Sequence, residues 1–220
     1  MEKIKAVLFD LDNTILDRTR TFQGFTSLFV NTYFQHAEHM ESIIERITDL
    51  DQDGYKDKNI LFAELLDELP WAQKPGITEL LEYYTAHYVK SALLMEHAAE
   101  TITYVGQKYK LGLITNGKDV IQNGKIDHLG IRDAFDLILV SETAGVKKPD
   151  AKIFEMALTQ LGVSPDECLF IGDHPKNDIE GAGKAGMKTI WLQVNQPWND
   201  EITITPEHTI KQLRELSKIL

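Results

Sequence analysis

Short, unbroken apolar runs recur along the chain at residues 6–9, 111–114, 137–140, 168–171 and 189–192. Runs without polar alternation suit strands buried on both faces, as in a parallel sheet. Helical patterns lie between the later runs. Ile153, Phe154, Ala157, Leu158 and Leu161 fall on one face, and Gly162 stands where such a helix would stop. Strand and helix alternate from about residue 98 onward, which predicts a doubly wound α/β core with a parallel sheet.

Residues 18–96 follow a different rhythm. Phe22, Phe25, Phe29 and Tyr33 recur at helical spacing, as do Ile43, Ile44 and Ile47. Phe62, Leu65, Leu66 and Leu69 continue the pattern, followed by Ile77, Leu80, Leu81 and Tyr84. No strand pattern interrupts them. The expected organisation is therefore a core of residues 1–17 and 97–220 with an all-helical block, 18–96, inserted after the first strand. The aromatic stripes read as the interior of that block. The tail residues Ile210, Leu213, Leu216 and Leu220 are expected to rest on the core.

A chain of 220 residues with 43% apolar content can bury a large interior. Its net charge of −11, from 34 acids against 23 bases, excludes binding to nucleic-acid backbones or anionic membranes. A small anion in a locally positive pocket stays compatible with it. The first apolar run ends at Asp10, too short for a signal peptide, and no run reaches the length of a membrane span. A cytoplasmic protein is expected. Cys168 is the only cysteine, so no intramolecular disulfide forms, and its apolar neighbours make it a core residue.

The chemistry stands just after the strands. Asp10 and Asp12 follow the first, Thr115 and Asn116 the second, and Lys148 comes soon after the third. Asp173 follows the fourth, with Asp178 five residues on. Ligands of open α/β sheets bind outside the carboxyl ends of the strands. Each of these residues alone could cap a helix or close a turn. Arriving in order after four buried strands, they form a set of carboxylates with a hydroxyl, an amide and an ammonium. Clustered carboxylates repel unless a cation sits among them. Mg²⁺ suits all-oxygen ligands and substrate phosphate, whereas His174 has no partner at zinc spacing.

These residues resemble the four signatures of the haloacid dehalogenase superfamily. Asp10-Leu11-Asp12-Asn13-Thr14 is similar to its DxDxT element, Thr115-Asn116-Gly117 to the second, Lys148-Pro149 to the third, and Gly172-Asp173 through Asp178 to GDxxxxD. The resemblance spans essentially the whole chain. It implies a Rossmann-like core with a C1-type helical cap, close to the 5′-nucleotidase-like and N-acylneuraminate-9-phosphatase-like branches. It further implies a phosphatase in which Asp10 is the nucleophile and Asp12 the general acid and then base. Asp10, the Asp12 main-chain carbonyl and Asp173 would hold Mg²⁺, with Asp178 supporting them. Thr115 and Asn116 would hold phosphoryl oxygens, and Lys148 would neutralise charge. His174 stands where the family carries Ser or Thr, and Asn13 is not the glycine typical of the phosphoglucomutase-like and phosphoglycolate-phosphatase-like branches.

The implied substrate is a small phosphorylated metabolite, nucleoside 5′-monophosphates first and sugar or sugar-acid phosphates second, handled by a monomer or homodimer. A phosphomutase or dehalogenase is the rival within the superfamily, and Asp12 favours phosphoryl chemistry over dehalogenation. A phospho-accepting signalling domain is the rival outside it, but such domains lack a helical insert and carry the acceptor after a middle strand. Arg18, Arg20, Lys56 and Trp71 are the expected contacts to the leaving group from the inserted block. Three further patterns mislead. Gly181–Gly186 fits GxGxxG but does not follow a strand directly, and its glycines read as close packing against the sheet. Gly112–Lys118 nearly fits a P-loop but continues with Asp119, and Asp49, Asp51, Asp53 and Gly54 lack the closing Glu of a calcium loop and read as a polar loop.

Overall fold

The computed structural model describes residues 3–220. In chain order its elements are β1 (Ala6–Phe9), α1 (Arg18–Tyr33), α2 (Met40–Asp51), α3 (Lys58–Glu68), α4 (Ile77–Tyr88), α5 (Ala98–Gly106), β2 (Lys110–Thr115), α6 (Asp119–His128), β3 (Leu137–Val140), α7 (Ser141–Ala144), α8 (Ala151–Leu161), β4 (Cys168–Gly172), α9 (Gly181–Lys184), β5 (Lys188–Leu192) and β6 (His208–Ile210). The chain forms two compact units, one of residues up to Asp17 with Leu94–Leu220 and one of Arg18–Leu93.

The first unit is a six-stranded sheet in the order β3-β2-β1-β4-β5-β6, every neighbouring pair parallel. The chain winds outward from β1 through β2 to β3, then returns to β4 on the other side of β1. The strand order reverses between β1 and β4, where such sheets bind ligands. Both strands are wholly buried, as their unbroken apolar sequences require. Against them pack Ile153, Phe154, Ala157, Leu158 and Leu161 of α8. Asp150 caps that helix by accepting from the Lys152 N–H, and Gly162 ends it at φ 66°. Burial pushes the Cys168 thiol up to about 12, which makes it a core side chain and not a nucleophile.

The five strands expected from the apolar runs all form. The sixth, β6, carries only three residues, of which His208 and Thr209 are exposed, so no apolar run marks it. Beyond it Ile210, Leu213 and Leu216 are buried, while Leu220 is only half-buried. Gly112 lies inside β2, where a side chain would press on Leu8, which disposes of the P-loop pattern. The α9 glycines do serve close packing, but against Phe154 and Pro149 at Gly181 and Ile204 at Gly183, not against the sheet.

The inserted unit is all-helical, α1–α4. Phe22, Phe25, Phe29, Phe34, Phe62 and Tyr88 are fully or almost fully buried in it. Their rings meet at tilted and edge-on angles, for instance Phe25 with Tyr88 at 5.8 Å and 83°. Arg18, 8% exposed, lies against Asp51 at 2.5 Å and Asp53 at 3.2 Å, and Lys58 reaches Asp51 at 2.8 Å. Asp49 and Asp51 are therefore helical residues of α2, not members of a loop, and Asp51 is buried in an ion network. Among the described residues no helix is long and apolar enough to cross a membrane.

Candidate active site

Parallel strands deliver their following residues to a single sheet edge. The Asp10 N–H donates to the Ile171 carbonyl at 2.9 Å, which carries the β1–β4 ladder one residue past β1. The chain then turns tightly, with the Leu11 carbonyl accepting from the N–H groups of Thr14, Ile15 and Leu16. The turn requires Asn13 at φ 61°, a left-handed conformation that Asn and Gly both tolerate. Asn13 thus meets a backbone requirement of the turn. The turn brings Thr14 Oγ1 to 3.4 Å from Asp10 Oδ2.

After β4 the chain makes a π-helical turn, Pro175–Glu180. Gly172 has to lack a side chain, because a Cβ there would overlap the Asp178 carboxylate. Asp178 Oδ2 accepts from the His174 N–H at 2.9 Å. The ring Nδ1 of His174 accepts from the N–H groups of Lys176 and Asn177, at 3.1 and 3.2 Å. Histidine thus does the capping for which a Ser or Thr hydroxyl is expected at this position. The Asp173 carbonyl accepts from the buried Trp191 indole N–H at 2.8 Å.

Lys148 ties the two strand ends together. Its ammonium lies 2.6 Å from Asp10 Oδ1 and 2.7 Å from Asp178 Oδ1, with only 2% of the side chain exposed. The Asn116 side chain clamps the Lys148 main chain. Its Nδ2 donates to the Lys148 carbonyl and its Oδ1 accepts from the Lys148 N–H, both at 2.9 Å. Burial pushes the Asp10 carboxyl up to about 7; Lys148 pulls it down, and Asp178 and Asp12 add to the rise. Burial by itself would discharge Lys148, but Asp10 and Asp178 hold it above the ordinary lysine value. One ammonium thus stands against more than one carboxylate in a buried place.

Asp10, Asp173 and Asp178 are all buried, and one oxygen from each lies within 4.8 Å of the others. The donor set is entirely hard oxygen with surplus negative charge, which fits Mg²⁺ and does not fit a thiolate- or imidazole-seeking metal. The Asp12 carboxylate lies apart from this group. It accepts from Lys125 Nζ at 2.7 and 3.0 Å and from Gln122 Nε2 at 2.8 Å. Gln122 Nε2 also donates to Thr115 Oγ1 at 2.5 Å.

Asp10, Lys148, Asp173 and Asp178 therefore converge, Asn116 is bonded to Lys148, and Thr115 is bonded through Gln122 to Asp12. Gln122 and Lys125 escaped the reading of the sequence. A signal existed: with Ile121 and Ile126 they make the buried face of α6, and a Gln and a Lys on such a face need partners. Of the side chains expected to meet a leaving group, three are spent inside the helical unit. Arg18 is paired with Asp51 and Asp53, Lys56 with Glu64, and the Trp71 indole donates to the Leu65 carbonyl.

A family model described as haloacid dehalogenase-like hydrolase matches residues 7–192. Pyrimidine 5′-nucleotidase YjjG of Escherichia coli (strain K12) is 34% identical over 154 residues, 68% of each chain. Glyceraldehyde 3-phosphate phosphatase of Pyrococcus abyssi is 31% identical over 199 residues, covering 86% of this chain and 82% of that one. The crystal structure of the HAD-hydrolase YfnB from Bacillus subtilis, bound to magnesium, superposes with a TM-score of 0.84 at 26% identity over 99% of both chains.

Proposed function

The chain belongs to the haloacid dehalogenase-like hydrolases and is a phosphatase of that family, and from that premise we propose that it hydrolyses small phosphomonoesters through a phospho-aspartate at Asp10. The observation that carries the reading is the Lys148 ammonium bridging Asp10 and Asp178 inside the buried carboxylate group. Asp10, Asp173 and the Asp12 main-chain carbonyl would hold Mg²⁺, with Asp178 behind them. The bound ion would supply positive charge beside the phosphoryl oxygens.

An Asp10 carboxylate oxygen attacks phosphorus, and the bond from phosphorus to the leaving oxygen breaks. Asp12 gives its proton to that oxygen, and the alcohol departs. Asp12 then takes a proton from water, whose oxygen attacks the phosphorus of the aspartyl phosphate. The Asp10–phosphorus bond breaks, releasing phosphate and restoring the carboxylate. Lys148 offsets charge on Asp10 and on the phosphoryl group in transit. Thr115 offers its hydroxyl to a phosphoryl oxygen. Asn116 offers its main-chain N–H, since its side-chain amide is committed to Lys148.

Nucleoside 5′-monophosphates are the favoured substrates, supported by the likeness to the E. coli pyrimidine 5′-nucleotidase. Triose phosphate is the second reading, supported by the Pyrococcus relative. Phosphate release from nucleotides, glyceraldehyde 3-phosphate, sugar-acid phosphates and an aryl phosphate, with Mg²⁺ or chelator, tests both. Release that needs Mg²⁺ and vanishes in Asp10→Asn supports the mechanism, and the best ester identifies the class. Release that survives in Asp10→Asn would refute it.

A further inference from the structure

The carboxylate assigned to proton transfer is gripped by a helix that the reaction scheme does not otherwise use. Lys125 is 3% exposed, and its three ammonium hydrogens meet three acceptors: Asp12 Oδ1 at 2.7 Å, Asp12 Oδ2 at 3.0 Å and Gln122 Oε1 at 2.8 Å. The two hydrogens on Gln122 Nε2 go to Asp12 Oδ2 at 2.8 Å and Thr115 Oγ1 at 2.5 Å. The i, i+3 spacing on α6 sets the two side chains beside each other. In this array one orientation of Asp12 gives every Lys125 ammonium and Gln122 amide hydrogen an acceptor.

Stability does not explain the array. A buried charge pair is often no more stable than apolar side chains of the same volume, and the neighbouring α6 positions Ile121 and Ile126 are apolar. What the polar pair adds is a fixed geometry between a carboxylate and a hydroxyl that belong to different strand ends. We infer that Gln122 and Lys125 are positioning residues for leaving-group protonation, holding the Asp12 carboxylate and the Thr115 hydroxyl in one frame. The inference rests on the assignment of Asp12 as the acid.

The test compares two esters in the same Mg²⁺-loaded preparation. One is the best alkyl ester of the wild type, such as a nucleoside monophosphate, whose leaving oxygen needs a proton. The other is 2,4-dinitrophenyl phosphate, whose leaving group does not. The readout is kcat/KM, which reports the steps up to departure of the leaving group. Lys125→Met is expected to lose about 100-fold on the alkyl ester and less than about threefold on the aryl ester, the signature of a displaced general acid. Gln122→Leu is expected to shift the ratio in the same direction, and Asp12→Asn to reproduce it in full. Lys125→Arg, which keeps the charge, is expected to recover part of the loss. The ratio is independent of the folded fraction, so a poorly folding variant still gives an answer. An equal loss on both esters, or none on the alkyl ester, would overturn the inference while leaving the phosphatase reading intact. Failure of the wild type on both esters would overturn that reading and the inference together.

Discussion

Each of the two compact units buries a cluster of charged side chains, and the clusters differ in their balance. In the helical unit Arg18 and Lys58 face Asp51 and Asp53, two cations against two anions. In the sheet unit Lys148 alone faces Asp10 and Asp178, with Asp173 beside them. A balanced cluster satisfies itself and asks only to be packed. A cluster with surplus carboxylate is stable only if one member keeps a proton or a cation enters, so it is poised to bind. Burial is the main reason the Asp10 carboxyl is raised, and the neighbouring Asp178 and Asp12 charges add to it, while Asp10 and Asp178 hold Lys148 above the ordinary lysine value.

Paired substitutions should separate the two clusters most sharply. Asp10→Asn is expected to lower kcat/KM by at least about 10⁴-fold, as loss of a nucleophile does, with the metal-free fold intact. Asp51→Asn is expected to cost about 3–5 kcal/mol in urea unfolding, because it leaves Arg18 and Lys58 short of a partner, while the folded protein keeps its kcat/KM. The reverse pattern would break the distinction.

A smaller effect follows pH. The Asp10 carboxyl is raised from 3.8 to about 7 in the fold. Its contribution to stability is therefore complete below about 3.8 and is lost as pH climbs toward 7. Without metal, the wild type should lose stability relative to Asp10→Asn over that interval, and the difference should level off above it. Mg²⁺ needs the ionised carboxylate, so its apparent affinity should rise with pH by up to about tenfold per unit below 7 and then level. Calorimetric Mg²⁺ titration and urea unfolding of both chains at several pH values check the two signs; a wild type that gains stability relative to Asp10→Asn as pH rises would contradict the raised Asp10 carboxyl.

The smallest effect concerns His174. Removing its capping nitrogen in His174→Ala should cost about 1 kcal/mol, while His174→Ser should restore most of it. Equal losses in both variants would mean that the ring does more than cap.

Much of the sheet unit was legible because burial on both faces leaves an unbroken apolar run, and a charged residue ending such a run must go to the sheet edge. Asp10 and Asp173, directly after β1 and β4, stand out on that ground alone. β6 was not legible, since an edge strand of three residues with two exposed has no apolar run. Gln122 and Lys125 were hidden for another reason: they are polar residues on a helix face, and apart from each other their partners stand seven or more positions away in sequence. The basic residues of the helical unit misled because sequence shows a charge but not its counter-charge. Arg18 looked available for substrate, and Asp51 and Asp53 already occupy it.

The most direct test of the account is the fate of the phosphoryl group during turnover. The Mg²⁺-loaded protein, mixed with an activated aryl phosphate and quenched in acid, would be digested and its peptides weighed. A phosphoryl group on the peptide carrying Asp10, absent from the Asp10→Asn chain, is the predicted result. A phosphoryl group on another residue, or hydrolysis that continues in Asp10→Asn, would contradict it.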